Sequence, residues 1–182
     1  MTTYISILRG INVSGQRKIL MADLKAIYEN LGFSNVATYI QSGNVVFSSG
    51  IGLTSPEIAQ IIEKQILGQY GFEVPVIVRT LEQMKLTISR NPFLQMPDID
   101  QEKLHVTFLS ELPLESNVEK IVAHDFSPDR FTIIENDVYL YCPVSYGNTK
   151  LSNKFFESKL KVTATTRNWA TVRRLAEIGE GM

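Results

Sequence analysis

Two amphipathic runs in the first half of this chain stop in the same way, at Gly32-Phe33 and at Gly71-Phe72. A glycine after a helical run supplies the left-handed residue that closes it, and the apolar residue that follows folds back on the helix. Two helix ends marked this clearly leave few arrangements for the segments around them. Leu20, Leu24, Ile27, Tyr28 and Leu31 share one helical face, which predicts a helix over 21–31. Ile58, Ile61, Ile62, Ile66 and Tyr70 share another. That second run follows Ser55-Pro56-Glu57, which reads as a serine cap, a proline at the first helical position and an acid in the first turn. Apolar runs at 3–8, 36–41, 44–48 and 74–79 have strand character, and Ser42-Gly43 joins the middle pair as a tight hairpin. The order is β-α-β-β-α-β, the split βαβ or ferredoxin-like unit.

The second half takes up a similar order. Thr80-x-x-Gln83 reads as a capping box for a short helix to about Arg90, which Asn91-Pro92 breaks. Strands are expected at 104–109, 130–134, 138–142 and 161–165. Helices are expected at 115–123, with Val118, Ile121 and Val122 inward; at 149–160, with Leu151, Phe155 and Leu160 inward; and at 168–178, with Trp169, Val172, Leu175 and Ile178 inward. The expected fold is α+β, two ferredoxin-like (βαββαβ) subdomains packed together. The first spans 1–90 and carries a glycine-rich loop at 9–18. Residues 91–103, with their prolines and acids, form a connector, and the second subdomain spans 104–182.

Composition excludes several function classes. The charged fraction is 20% and the net charge −1, so no global basic field gathers nucleic acid. Cys142 is the one cysteine, which rules out an intrachain disulfide and any four-cysteine metal site. No apolar run reaches membrane-spanning length, and the N-terminus lacks the basic and apolar regions of a signal peptide. A reduced, cytoplasmic protein without membrane association is the expectation. Charge is unevenly spread. Residues 98–137 hold ten acids and three bases, 3 − 10 = −7. Residues 150–174 hold seven bases and one acid, 7 − 1 = +6.

Three polar clusters stand out. Leu8-Arg9-Gly10-Ile11-Asn12-Val13-Ser14-Gly15-Gln16-Arg17-Lys18 links the first strand to the first helix, where α/β layers often place ligands. Gly10 and Gly15 have phosphate-loop spacing, but Gln16 and Arg17 stand where the lysine and hydroxyl of a nucleotide-hydrolysing loop belong. Such a loop either turns the chain with its cations solvated or cups an anion through backbone N–H groups and Arg9, Arg17 or Lys18. Gln41 and Asn44 flank the Ser42-Gly43 tip, and their amides suit either a ligand or the backbone of the 9–19 loop. In the third cluster, Thr165-Thr166-Arg167-Asn168-Trp169, Thr166 or Asn168 suits a helix cap and Trp169 suits the core. Arg167 at a helix start opposes the macrodipole, which an anion bound there would reverse. Candidate ligand-binding residues are therefore Arg9, Gly10, Asn12, Gly15, Lys18, Gln41, Asn44, Arg167 and Asn168.

Other chemistries find no support. His105 and His124 have no metal-ligand spacing, and there is no G-x-S-x-G elbow. Cys142, at a strand end before Pro143, reads as a buried small hydrophobe. No cofactor and no metal are expected, and no catalytic residue is assigned.

In combination, LRGINVSGQRKILMADL, TYIQSGNVVF and TTRNWATVRRL resemble the bacterial domain-of-unknown-function family numbered 1697, over nearly the whole chain. The resemblance implies a cytoplasmic protein of two ferredoxin-like subdomains. It brings no established activity. A shared site would lie at the matching positions, among them Ser42, Gly43, Thr166 and Trp169 beside the candidates above. The leading functional expectation is a binding module or small enzyme for a phosphate-bearing ligand such as a nucleotide. The alternatives are RNA or single-stranded nucleic-acid binding on the sheet, and a structural or protein-interaction role. The sheet type suits RNA, but the exposed-aromatic pattern of RNA-binding sheets is missing from 39–47 and 139–141.

Overall fold

A computed structural model describes all 182 residues. The first sheet is built from β1 (Thr2–Leu8), β2 (Ser34–Tyr39), β3 (Asn44–Ser49) and β4 (Val76–Thr80), with α1 (Met21–Asn30) and α2 (Ser55–Tyr70) between strands. Its order is β2-β3-β1-β4, and every neighbouring pair is antiparallel. After α3 (Leu81–Ser89) the pattern recurs with β5 (Leu104–Leu109), α4 (Glu115–Val122), β6 (Arg130–Ile134), β7 (Asp137–Tyr141), α5 (Asn153–Leu160) and β8 (Ala164–Asn168). The second sheet runs β6-β7-β5-β8, the same order, again antiparallel throughout. Both are ferredoxin-like. In each, one strand separates the two that a helix connects. A last helix, α6 (Trp169–Glu180), closes the chain.

Each Gly-Phe stop does what its chemistry dictates. Gly32 takes φ +83°, and the Phe33 amide bonds to the Tyr28 carbonyl at 3.2 Å. Phe33 then lies 4.6 Å from the Phe47 ring and 6.0 Å from Tyr28. These rings, with Ile58, Ile62 and Ile66, form the first core. Tyr28 brings a hydroxyl into it, and Ser6 Oγ meets that hydroxyl at 2.5 Å, so the buried polar group is satisfied. In the second core Phe126, Phe131, Phe155 and Phe156 meet edge to face at 5.3–5.9 Å.

Local details differ from the sequence expectation for local reasons. Leu20 is the extended N-cap of α1, outside the helical wheel, and is 70% exposed. Val122 ends α4 and is 60% exposed, because Ile121 beside it takes the inward position. The α2 cap is Thr54 rather than Ser55. Glu57 accepts from both the Thr54 amide and its hydroxyl, at 2.8 and 2.7 Å, which holds its carboxyl below the usual range. The expected box of Thr80 and Gln83 forms, with reciprocal bonds of 2.9 and 3.1 Å. The helix expected from 149 begins only at Asn153, where Ser152 Oγ accepts from the Phe155 amide, and Phe156 rather than Phe155 is fully buried.

The chain divides into two compact units, Met1–Leu86 with Arg174–Met182, and Thr87–Arg173. The final nine residues, expected within the second subdomain at 104–182, thus group with the first unit. Within that unit, a Cβ on Gly179 would stand 2.9 Å from Leu81 Cδ1, and Lys85 pairs with Glu180 at 3.4 Å. No helix is long and apolar enough to cross a membrane.

Candidate functional site

The 9–19 segment leaves β1 under tight backbone control. The Leu8 amide donates to the Gly43 carbonyl at 2.8 Å and the Arg9 amide to the Pro75 carbonyl at 2.9 Å. The chain then takes left-handed geometry at Gly10, Asn12, Ser14, Gly15 and Arg17, with φ between +47° and +75°. Glycine adopts this freely and asparagine tolerates it, whereas Ser14 and Arg17 are strained there. Short backbone bonds stabilise the path, Asn12 to the Arg17 carbonyl at 3.2 Å and Gln16 to the Val13 carbonyl at 3.0 Å.

The Asn12 carboxamide holds the loop shut. Its Oδ1 accepts from the Ile19 amide at 2.9 Å, and its Nδ2 donates to the Ile19 carbonyl at 2.9 Å. A second Nδ2 bond, also 2.9 Å, reaches the Gln41 carbonyl in the hairpin tip. Ile11 and Ile19, on either side of the exposed stretch 13–18, are buried and anchor it. Arg17 turns back, its Nη1 3.6 Å from where a Cβ on Gly10 would stand. Arg9 and Gly10 are half-buried, while Arg17 and Lys18 are exposed. The α1 N-terminus that follows carries no side-chain cap.

The hairpin tip is longer than a two-residue turn. Tyr39 pairs with Asn44, so residues 40–43 form the loop, with Ile40 at φ +49° and Gly43 at φ +83°. The buried Asn44 donates to the Tyr39 carbonyl and to Ser42 Oγ, both at 3.0 Å, and so braces its own loop. Gln41 enters the tie between tip and loop through its backbone carbonyl, which accepts from Asn12 on the loop side. Gly43 is dictated by space as well as by φ. A Cβ there would lie 2.7 Å from Ile11 Cδ1 and 2.9 Å from Leu8 Cβ.

The third cluster lies in the second unit, and most of it is absorbed by structure. Arg167 belongs to β8, not to a helix start, so the macrodipole argument does not apply to it. Its guanidinium is buried and bonds to Thr165 Oγ1 at 3.2 Å and to the Thr166 carbonyl at 2.9 Å. Burial holds its pKa down to about 10. Asn168 caps α6, accepting from the Thr171 amide at 2.8 Å. Thr166 links β8 to Thr107 at 2.7 Å and to Asn153 at 2.6 Å, and Trp169 is core. Thus Arg9, Gly10, Asn12, Gly15, Lys18, Gln41 and Asn44 come together in the first unit, while Arg167 and Asn168 stand in the second.

Cys142 is buried, and burial pushes its thiol up to about 11, which suppresses the nucleophilic thiolate. His105 stacks on Tyr146 at 4.6 Å, and burial lowers its pKa. No group of three His, Cys, Asp or Glu side chains is placed to hold a metal ion.

Fold and loop together define a class: a two-unit ferredoxin-like α+β protein with an ordered, asparagine-clamped strand-to-helix loop. Residues 1–139 match the family described as a protein of unknown function, DUF1697, and the chain belongs to that family. Among solved structures it is similar to the conserved bacterial protein SP0830 from Streptococcus pneumoniae, at 23% identity and a TM-score of 0.77 over 98% of each chain. At that identity the likeness establishes the fold. No curated protein matches the sequence.

Proposed function

We propose that this is a bacterial, cytoplasmic binding protein or small enzyme whose 9–18 loop holds a phosphate-bearing small molecule such as a nucleotide. One observation carries the reading. Ser14 and Arg17 are held in left-handed backbone that residues other than glycine and asparagine avoid, in a loop that the Asn12 clamp keeps ordered. Strain maintained by surrounding bonds is characteristic of ligand-shaping segments. Left-handed residues in such a loop can turn neighbouring N–H groups toward one concavity, which suits an anion. Arg9, Arg17 and Lys18 supply the matching charge. RNA binding on an open sheet face is less well supported. Val106, Phe108 and Tyr139, on the side of the second sheet away from Leu109 and Val138, are at most 1% exposed.

The test is thermal unfolding of the full chain with nucleotides, phosphosugars and oligonucleotides, since a ligand that binds only the folded state raises the melting temperature. A nucleotide or phosphosugar should raise it, and Lys18→Ala and Arg17→Ala should each remove most of the shift. No shift with any phosphate compound, or a shift indifferent to both substitutions, refutes the reading.

A further inference from the structure

The second unit carries a groove of about 330 Å³. It lies among the short 3₁₀ turn Pro92–Gln95, the end of α4, the segment 124–129 and β6. Its size falls at the lower end of the range of about 300–1,000 Å³ typical of small-molecule sites. Phe93, Met96, Val122 and Phe126 give it apolar walls, and Met96 and Val122 leave 37% and 60% of their surface open to it and to solvent.

The polar groups of this groove are arranged unusually. The Arg130 guanidinium lies 5.0 Å from the centre of the Tyr141 ring and 5.9 Å from that of Phe93, with Nη1 3.5 Å from Met96 Sδ. Its partners are two rings and a thioether rather than a carboxylate. Asp129, the preceding residue, spends its carboxylate on the Thr149 hydroxyl at 2.5 Å. Asp125 accepts from the Ser127 hydroxyl at 2.6 Å and the Ser127 amide at 2.9 Å, and those bonds hold its pKa below the usual range. Two oriented carboxylates and one oriented guanidinium thus line a single groove, and neither sign neutralises the other. Neighbouring charges on an ordinary surface gain by pairing directly. Here uncharged groups of the protein hold each one in place.

A ligand with one charge would meet repulsion as well as attraction. A simple amine would face Arg130, and a simple carboxylate would face Asp125 and Asp129. We propose that the groove binds a free α-amino acid with an aromatic or long apolar side chain. Its carboxylate takes the open N–H edge of Arg130, where a stacked guanidinium offers bidentate bonds. Its ammonium takes Asp125 or Asp129, and its side chain lies against Phe93, Met96, Val122 and Phe126. The acid excess of −7 over 98–137 favours the ammonium end as it approaches.

The experiment is calorimetric titration of the full chain with L-phenylalanine and L-leucine, beside phenethylamine and 3-phenylpropionate, which each keep one charge. The amino acids should bind, and each single-charge analogue should bind about tenfold more weakly or worse. Arg130→Gln should lower L-phenylalanine affinity to that of phenethylamine. Asp125→Asn, at an exposed position, should weaken the amino acid and leave 3-phenylpropionate unweakened. Circular dichroism confirms that both variants fold. Absence of heat with either amino acid at millimolar concentration overturns the proposal. So does equal binding of the single-charge analogues, or unchanged binding in both folded variants.

Discussion

Asn12 is the residue whose removal should cost the 9–18 loop most. Asn12→Ala deletes three hydrogen bonds, two to Ile19 in a half-buried setting and one to the exposed Gln41 carbonyl. At about 1 kcal/mol net for each half-buried bond and less for the exposed one, the bonds are worth about 2–2.5 kcal/mol. Asn12 also sits at φ +56°, where alanine is less tolerated than asparagine by about 1 kcal/mol. The expected loss is about 3 kcal/mol, a large part of a typical domain's stability. Asn12→Gly separates the contributions. It loses the same bonds without the backbone penalty, so it should be less destabilising than alanine by about 1 kcal/mol. Asn12→Asp keeps the acceptor for the Ile19 amide but sets a carboxylate against two carbonyls, and should fall near the alanine variant. Urea unfolding measures all three. Hydrogen exchange at the Ile19 amide, which donates to Asn12 Oδ1, reports the loop directly and should accelerate in the alanine and glycine variants. An alanine variant within about 0.5 kcal/mol of the parent, with Ile19 exchange unchanged, refutes the clamp. The anion reading built on it would then lose its main support.

Gly43→Ala should destabilise by about 3 kcal/mol or more, since its methyl would meet fully buried Ile11 and Leu8 at positive φ. Gly15→Ala, equally left-handed but with open space around it, should cost only about 1–2 kcal/mol, and equal losses in unfolding assays would contradict the packing argument. Cys142 should resist a thiol reagent at neutral pH until the chain unfolds, and rapid labelling of folded protein would contradict its burial and raised pKa. Burial lowers the folded pKa of His105, so the unfolded chain binds that proton more readily. Stability should therefore fall as pH drops through about 6.5 and level off below the folded value. His105→Gln should flatten that slope in urea midpoints taken across pH, and an unaltered slope would assign the effect elsewhere.

What could be read in the sequence was what local chemistry decides. The Gly-Phe stops, the Thr80–Gln83 box and the burial of Trp169 need only near neighbours, and all appear in the structure. Both strand orders follow from the succession of elements once the connections are short. Features set by distant partners were hidden. The four-residue hairpin tip depends on the Leu8 amide reaching the Gly43 carbonyl, and the Asn12 clamp spans 29 positions to Gln41. Arg167 was misread because β8 continues to Asn168 before α6 begins, a boundary between two elements that each tolerate these residues. Arg17 and Asn12 both lay in view within the glycine-rich loop, but only folding shows that one covers Gly10 and the other closes the loop. The groove beside Arg130 left a single trace in the sequence, the acid excess over 98–137.

The discontinuous make-up of the first unit bears on synthesis. Residues 87–173 are contiguous, so the second unit is complete in sequence as soon as it clears the ribosome. The first unit has its four strands by Thr80, yet the residues that meet Leu81 and Lys85 belong to 174–182 and emerge nearly a hundred positions later. The earlier-made unit is therefore finished second, and α3 waits with one side uncovered through the whole translation of its neighbour.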